Sequence, residues 1–128
     1  MLNSLGISLL KLSRLEEART VLRAALDLNA STGERLLQAH SLSALGELAF
    51  SAGELDEALS AYEKSLALRR EIGDRRGEGW TICYLARVRF AQGDAGQGQL
   101  LRQSASDLAR ELNDAGLQLA CESVNQQT

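Results

Sequence analysis

The stretch that decides the fold is LSALGELAFSAGELDEALSAY, residues 42–62. In its first half, apolar side chains recur at steps of three and four residues, which is the spacing of one face of an α-helix. Gly53 interrupts the pattern, and a second apolar stripe with the same spacing begins at Leu55. The stretch therefore predicts two helices joined by a short turn, over about residues 35–52 and 55–72.

The same unit occurs three times along the chain. Leu45 has an equivalent 40 residues before it, Leu5, and another 40 residues after it, Leu85. A fixed period without insertions is typical of a repeat array. We predict an all-α, right-handed superhelical solenoid of three helix-turn-helix repeats at about 1–33, 34–73 and 74–113, closed by a capping helix at about 114–126. This arrangement has seven helices, of which the first is short.

Local signals at the predicted helix ends agree with the period. Gly73 and Asn113 follow the second helix of a repeat, where a left-handed residue commonly ends a helix. Asp74 and Asp114 come next and are suited to cap the following helix by accepting from its free amides. The segment Ser13-Arg14-Leu15-Glu16 resembles a capping box and predicts the start of the second helix of the first repeat.

Composition excludes several classes of partner. The formal net charge of −3 and pI near 5.2 provide no basic footprint for nucleic acid. The arginine pairs at 69–70 and 75–76 alternate with acidic residues, which predicts a solvated, self-neutralising corner. No segment has the roughly 20 apolar residues of a membrane span, and the first residues lack a basic leader, so we expect a cytoplasmic protein. Cys83 and Cys121 lie in apolar helical patterns, which favours reduced, partly buried thiols.

These repeats resemble the tetratricopeptide repeat, whose signature is W-x2-L-G-x2-Y followed by A-x3-F. The central copy contains Leu42-x2-Leu45-Gly46-x2-Ala49 and then Ala58-x3-Tyr62. The period of 40 is similar to a long-helix subgroup found in large bacterial regulators and in animal adaptors that grip an extended peptide. The excess of arginine over lysine and the abundant alanine favour a bacterial source.

The resemblance implies a protein-interaction module that binds a peptide or helix of a partner in a concave groove lined by the first helix of each repeat. The alternative is a structural spacer or self-association element without a peptide ligand. The groove candidates are first-helix residues outside the hairpin core: Asn3, Ile7, His40, Ser43, Glu47, Trp80, Cys83, Tyr84 and Arg87.

Two relationships among these candidates can be predicted from spacing. Trp80, Tyr84 and Arg87 share one face of one helix, and these residue types are enriched at binding hot spots. For Trp80 and Tyr84 the alternative is plain packing between neighbouring helices. Glu47 and Arg87 are one period apart, so we expect them to lie side by side, either as an inter-repeat ion pair or as a charged element of the groove.

The sequence offers no basis for catalysis, so we predict that the chain is not an enzyme and uses no cofactor. His40 is the only histidine, and the two cysteines are not spaced for a metal site. A dyad of Cys83 with His40 is conceivable, but nothing in the pattern activates the thiol. The segment 93–98 is rich in glycine but lacks the lysine of a phosphate-binding loop.

The opening residues carry a prediction about assembly. Leu2, Leu5, Ile7, Leu9 and Leu10 make the first helix apolar on nearly every side, whereas the first helix of an array needs a polar outer face. We therefore expect either a fragment of a longer array or a homodimer that pairs through the first repeat and buries Leu2, Leu9 and Leu10.

Overall fold

A computed structural model describes the backbone of residues 2–124 and the side chains of residues 14–124. Over this range the chain forms six α-helices and no strand, which confirms the all-α helical-repeat solenoid. None of these helices is both long enough and apolar enough to cross a membrane. The helices are α1 Leu2–Thr32, α2 Arg35–Ser51, α3 Leu55–Ile72, α4 Arg75–Ala91, α5 Ala95–Leu112 and α6 Ala115–Val124.

The first repeat differs from the prediction. Residues 2–32 form one continuous helix, so the expected break near Ser13 and the capping box that follows it are wrong. In the later repeats the equivalent turns contain Gly53 and Gly93, whose φ angles are +79° and +84°. Serine has a Cβ atom and is unfavourable in this left-handed conformation. The first copy therefore lacks the residue that ends the helix in the other copies, and residues 2–124 form six helices instead of the expected seven.

The other turns confirm the predicted signals. Gly73 and Asn113 end α3 and α5 in the left-handed conformation, with φ of +77° and +55°. The side chain of Asp74 accepts from the amide of Gly77 at 3.1 Å, and Asp114 accepts from that of Leu117 at the same distance. The latter bond lowers the pKa of the Asp114 carboxyl. Each carboxylate thus satisfies a free amide in the first turn of the next helix.

Consecutive helices pack side by side, and the short helix α6 closes the stack against α4 and α5. One apolar cluster extends from α2 to α6, and α4 supplies its largest share. Leu117, Cys121 and Val124 of α6 face the other helices and are buried. Leu119, on the opposite side, is exposed.

In each of the two complete hairpins, an aromatic ring packs against a glycine of the opposite helix. The ring of Tyr62 on α3 lies against Gly46 on α2, so closely that a Cβ at position 46 would be 2.9 Å from it. In the next hairpin the ring of Phe90 on α4 lies equally close to Gly98 on α5. The glycines therefore permit close helix packing, and the ring and the glycine exchange helices between the two hairpins.

Candidate functional site

A groove of about 480 Å³ lies between α2 and α4, and the end of α3 contributes to it. It brings together five of the residues predicted from sequence: His40, Ser43 and Glu47 from α2, and Trp80 and Tyr84 from α4. The three residues of α2 share one face of that helix because they are spaced by three and four positions. The two aromatic residues of α4 share a face because they are four positions apart. Asn3 and Ile7 lie outside the residues whose side chains the structure describes.

A buried guanidinium forms part of the groove lining. Arg69, at the end of α3, is only 7% exposed. Its Nη1 donates to Asp74 Oδ2 at 2.6 Å, and its Nη2 donates to His40 Nδ1 at 3.3 Å. A side chain at position 77 would collide with both members of the ion pair, which explains why a glycine occupies the first turn of α4 there. Arg69 thus links α2, α3 and the start of α4.

Two serine hydroxyls connect this guanidinium to the backbone of α2. Ser65 Oγ accepts from Arg69 Nε at 3.3 Å and donates to the carbonyl of Ala39 at 3.0 Å. Because the Ser65 proton is used in that bond, the 2.7 Å contact between Ser43 and Ser65 requires Ser43 to donate. Buried polar groups that are fully paired fix the helices that carry them. The network therefore holds α2 in a defined position against α3.

Aromatic side chains form the opposite wall. Trp80 and Tyr84 are half-buried on α4, with ring centroids 6.4 Å apart and planes inclined at 39°. Tyr84 also stacks on Tyr62 of α3 at 5.4 Å. Burial raises the pKa of the Tyr84 hydroxyl, and the nearby charge of Glu47 raises it further. Trp80 and Tyr84 pack against the core, and both also line the groove. Their role in binding a partner stays a prediction.

The position of Arg87 corrects one prediction. Among the described residues no ion pair joins Glu47 to Arg87. Instead, the Arg87 guanidinium carbon lies over the ring of Phe50, 4.2 Å from its centroid, and 5.6 Å from that of Tyr84. Arg87 lines a second, smaller cavity of about 80 Å³ beside α6. The period correctly aligns positions 47 and 87, but the arginine side chain packs on an aromatic ring of its neighbour.

Cys83 is not on the groove surface. It is 3% exposed, and its Sγ lies 3.1 Å from Sγ of Cys121 on α6, which is also buried. Both cysteines are free, and burial raises the pKa of both thiols. A buried, protonated thiol is a poor nucleophile. His40, the other member of the conceivable Cys83–His40 dyad, is exposed and hydrogen-bonded to Arg69 instead.

Arg69 is the site residue that the sequence interpretation missed. The arginines at 70, 75 and 76 do form an exposed, self-neutralising corner, with partners Glu78, Glu111 and Asp114. Arg69 was wrongly assigned to the same corner. Its position follows the apolar stripe of α3, since it lies seven residues after Tyr62 and three after Leu66. The helical period could therefore have placed it on the buried face.

In the part of the chain that the structure describes, no three histidine, cysteine or acidic side chains lie close enough together to bind a metal ion.

The chain was also compared with known protein families. The model of a family described as tetratricopeptide repeat matches residues 1–71 and, in an overlapping second match, residues 38–111. No curated protein matches the chain.

Proposed function

We propose that this chain, which belongs to the tetratricopeptide repeat family, binds a peptide or helix of a partner protein in the groove between α2 and α4. Repeats of this family generally mediate protein–protein interaction. The observation that carries the proposal is the groove itself, in which exposed polar side chains of α2 face a half-buried aromatic pair on α4. Aromatic residues that are only partly buried offer a partner apolar area at a low cost in side-chain entropy.

The setting of this interaction is part of the proposal. The 40-residue period and the excess of arginine over lysine support a place within a larger bacterial regulatory protein. With only two cysteines, the chain lacks the disulfide framework of small secreted domains, which supports a reducing compartment such as the cytoplasm. In this setting the domain selects a partner, and any catalytic activity resides elsewhere.

Trp80 provides the test, since it is the only tryptophan of the chain and its fluorescence reports on the groove. Random twelve-residue peptides displayed on phage are selected against the purified chain and then titrated as synthetic peptides. We expect selected peptides to change the Trp80 emission. Trp80→Ala removes that signal, so the affinities of all variants are measured with fluorescein-labelled peptides. We expect Trp80→Ala to weaken peptide binding by about tenfold or more.

The matched control is Leu100→Ala, which removes an exposed apolar side chain from α5, outside the groove. This variant should bind the selected peptides with unchanged affinity. Circular dichroism must show equal helicity for both variants, so that a loss of binding cannot be attributed to unfolding. If no selected peptide depends on Trp80, the groove is not the binding surface and the proposal fails.

Association of two copies through the first repeat is the second candidate. Val21 and Leu28 are two turns apart on α1, so they share a face, and they are 67% and 63% exposed. Apolar side chains exposed together on one helix face are typical of an association surface. Sedimentation velocity at micromolar concentration tests this: a dimer that becomes a monomer in Val21→Ser/Leu28→Ser supports it, and a wild-type monomer excludes it. The predicted contacts of Leu2, Leu9 and Leu10 lie outside the described side chains.

A further inference from the structure

Two arginines and two carboxylates line the groove between α2 and α4, but one carboxylate has no cation paired with it among the described residues, and this bears on the kind of partner that the groove binds. Both of its arginines already have a carboxylate partner. Arg69 pairs with Asp74 at 2.6 Å, and Arg76 pairs with Asp114 at 2.7 Å. An arginine whose charge is already met by a carboxylate gains less from a second anion than a free one would. The paired arginines therefore do not favour an acidic partner.

Glu47 is the carboxylate of the groove that has no cation. It is exposed on α2, and within residues 14–124 no ion pair or hydrogen bond of its side chain is found. The charge of Glu47 nevertheless acts on the aromatic wall: burial is the main cause of the raised pKa of Tyr84, and Glu47 is the second. The unpaired carboxylate thus lines the same groove as the two rings.

The cation that could have neutralised Glu47 is engaged elsewhere. Arg87 lies over Phe50 and lines the smaller cavity beside α6, not the groove. Across the groove from Glu47 lie the half-buried rings of Trp80 and Tyr84. Arg87 already lies 5.6 Å from the ring centroid of Tyr84, so Trp80 is the ring of the pair that carries no cation among the described residues. A carboxylate beside an aromatic pair is the combination that holds a basic side chain, since the ring faces and the carboxylate both attract a cation.

We infer that the groove takes a lysine or arginine side chain of the partner peptide, with its cation on Trp80 and paired with Glu47. This inference rests on the proposed function, since it identifies the residue that the peptide presents. Tryptophan is the strongest cation–π acceptor among the side chains, so Trp80 provides the larger part of the attraction. The net charge of −3 of the whole chain also favours the approach of a basic segment.

The selected peptides test this inference by their composition and by charge exchange. They should share one lysine or arginine, and its replacement by glutamine should weaken binding by about five- to tenfold. Glu47→Gln should lower the affinity for the unaltered peptide by a similar factor. Glu63→Gln, which removes an exposed carboxylate of α3, should leave that affinity unchanged. Glu47→Lys should reverse the preference and bind the peptide in which glutamate replaces the basic residue.

The outcomes separate this inference from the proposed function. Peptides that depend on Trp80 but carry an acidic residue, or no common charge, would overturn the basic-residue pocket and leave the binding groove in place. Equal affinity of the wild type and Glu47→Gln for a lysine-bearing peptide would do the same. If no peptide depends on Trp80, both fail.

Discussion

Asp74 makes two contacts at once: its Oδ2 lies 2.6 Å from Nη1 of the buried Arg69, and its Oδ1 accepts from the amide of Gly77 at the start of α4. One carboxylate thus neutralises a buried charge and caps a helix. Asp94 is the natural comparison, since it caps α5 through Gln97 in the same geometry but is exposed and pairs with no arginine in the described part of the chain.

We therefore expect Asp74→Ala to lower the free energy of unfolding by about 3 kcal/mol, because it removes a cap and also leaves Arg69 buried without its counter-ion. Asp94→Ala should cost only about 1 kcal/mol, the usual value of a cap. Urea denaturation followed by circular dichroism measures both. Equal losses in the two variants would show that the ion pair of Arg69 adds nothing to stability.

The close packing of Tyr62 on Gly46 gives a second prediction. Gly46→Ala places a methyl group 2.9 Å from the ring, so we expect a loss of about 1–3 kcal/mol from overpacking. Gly96→Ala is the control, since it is exposed in the first turn of α5 and meets only Asp94, at 3.8 Å. There alanine should raise stability by up to about 1 kcal/mol through its better helix propensity. A neutral Gly46→Ala variant would contradict the tight contact.

Stability at alkaline pH provides a third prediction. Burial raises the pKa of Tyr62 from 10.0 to about 12. Between these values the unfolded chain has released the phenolic proton while the folded chain keeps it, so the unfolded state binds fewer protons. The free energy of unfolding must then fall as pH rises from about 10 to about 12. Burial of the Cys83 thiol, whose pKa is also raised, adds to the fall.

Tyr62→Phe isolates the contribution of the phenol. The Tyr62 hydroxyl is buried and has no partner in hydrogen-bonding geometry, so its removal should change stability at pH 7 by less than about 1 kcal/mol. At alkaline pH the variant should lose stability less steeply than the wild type, as measured by urea denaturation at intervals of half a pH unit. Parallel pH profiles would show that the folded phenol titrates normally.

The stacking of Arg87 on Phe50 predicts a modest contribution to stability. Arg87→Ala should lower the free energy of unfolding by about 1 kcal/mol, through the loss of the cation–π contact and of the packed side-chain stem. Arg70→Ala, which removes an exposed ion pair with Glu78, should change it by at most about 0.5 kcal/mol. A collapse of helicity in Arg87→Ala would instead assign this side chain to the core.

The sequence predicted most where one residue type is enforced by local backbone chemistry. Gly73 and Asn113 were identified because few residues adopt a left-handed helix end, and Asp74 and Asp114 because free amides need an acceptor. The break expected at Ser13 failed on the same chemistry. A capping-box pattern is compatible with a helix interior, whereas the glycine at the equivalent positions is what ends the helix.

Side-chain partners were predicted less well, because spacing aligns backbones and does not select rotamers. Glu47 and Arg87 were expected to lie side by side from the period, yet the guanidinium of Arg87 packs on the ring of Phe50. Cys83 was assigned to the groove from its helix, but its side chain turns to Cys121 of α6. Arg69 was judged by its charge rather than by its place on the apolar stripe of α3.

The exchange of ring and glycine between the two hairpins affects which helices can pair while the chain folds. Chains built from similar repeats risk pairing a helix with the wrong copy of its neighbour while they fold. A hairpin of α4 with α3 would set Ala86 against Tyr62 and Phe90 against Ala58, with a methyl group where each ring has a glycine in its own hairpin. We expect the mismatched hairpin to be less stable through overpacking, so that the two glycines favour the pairing of each helix with its own partner.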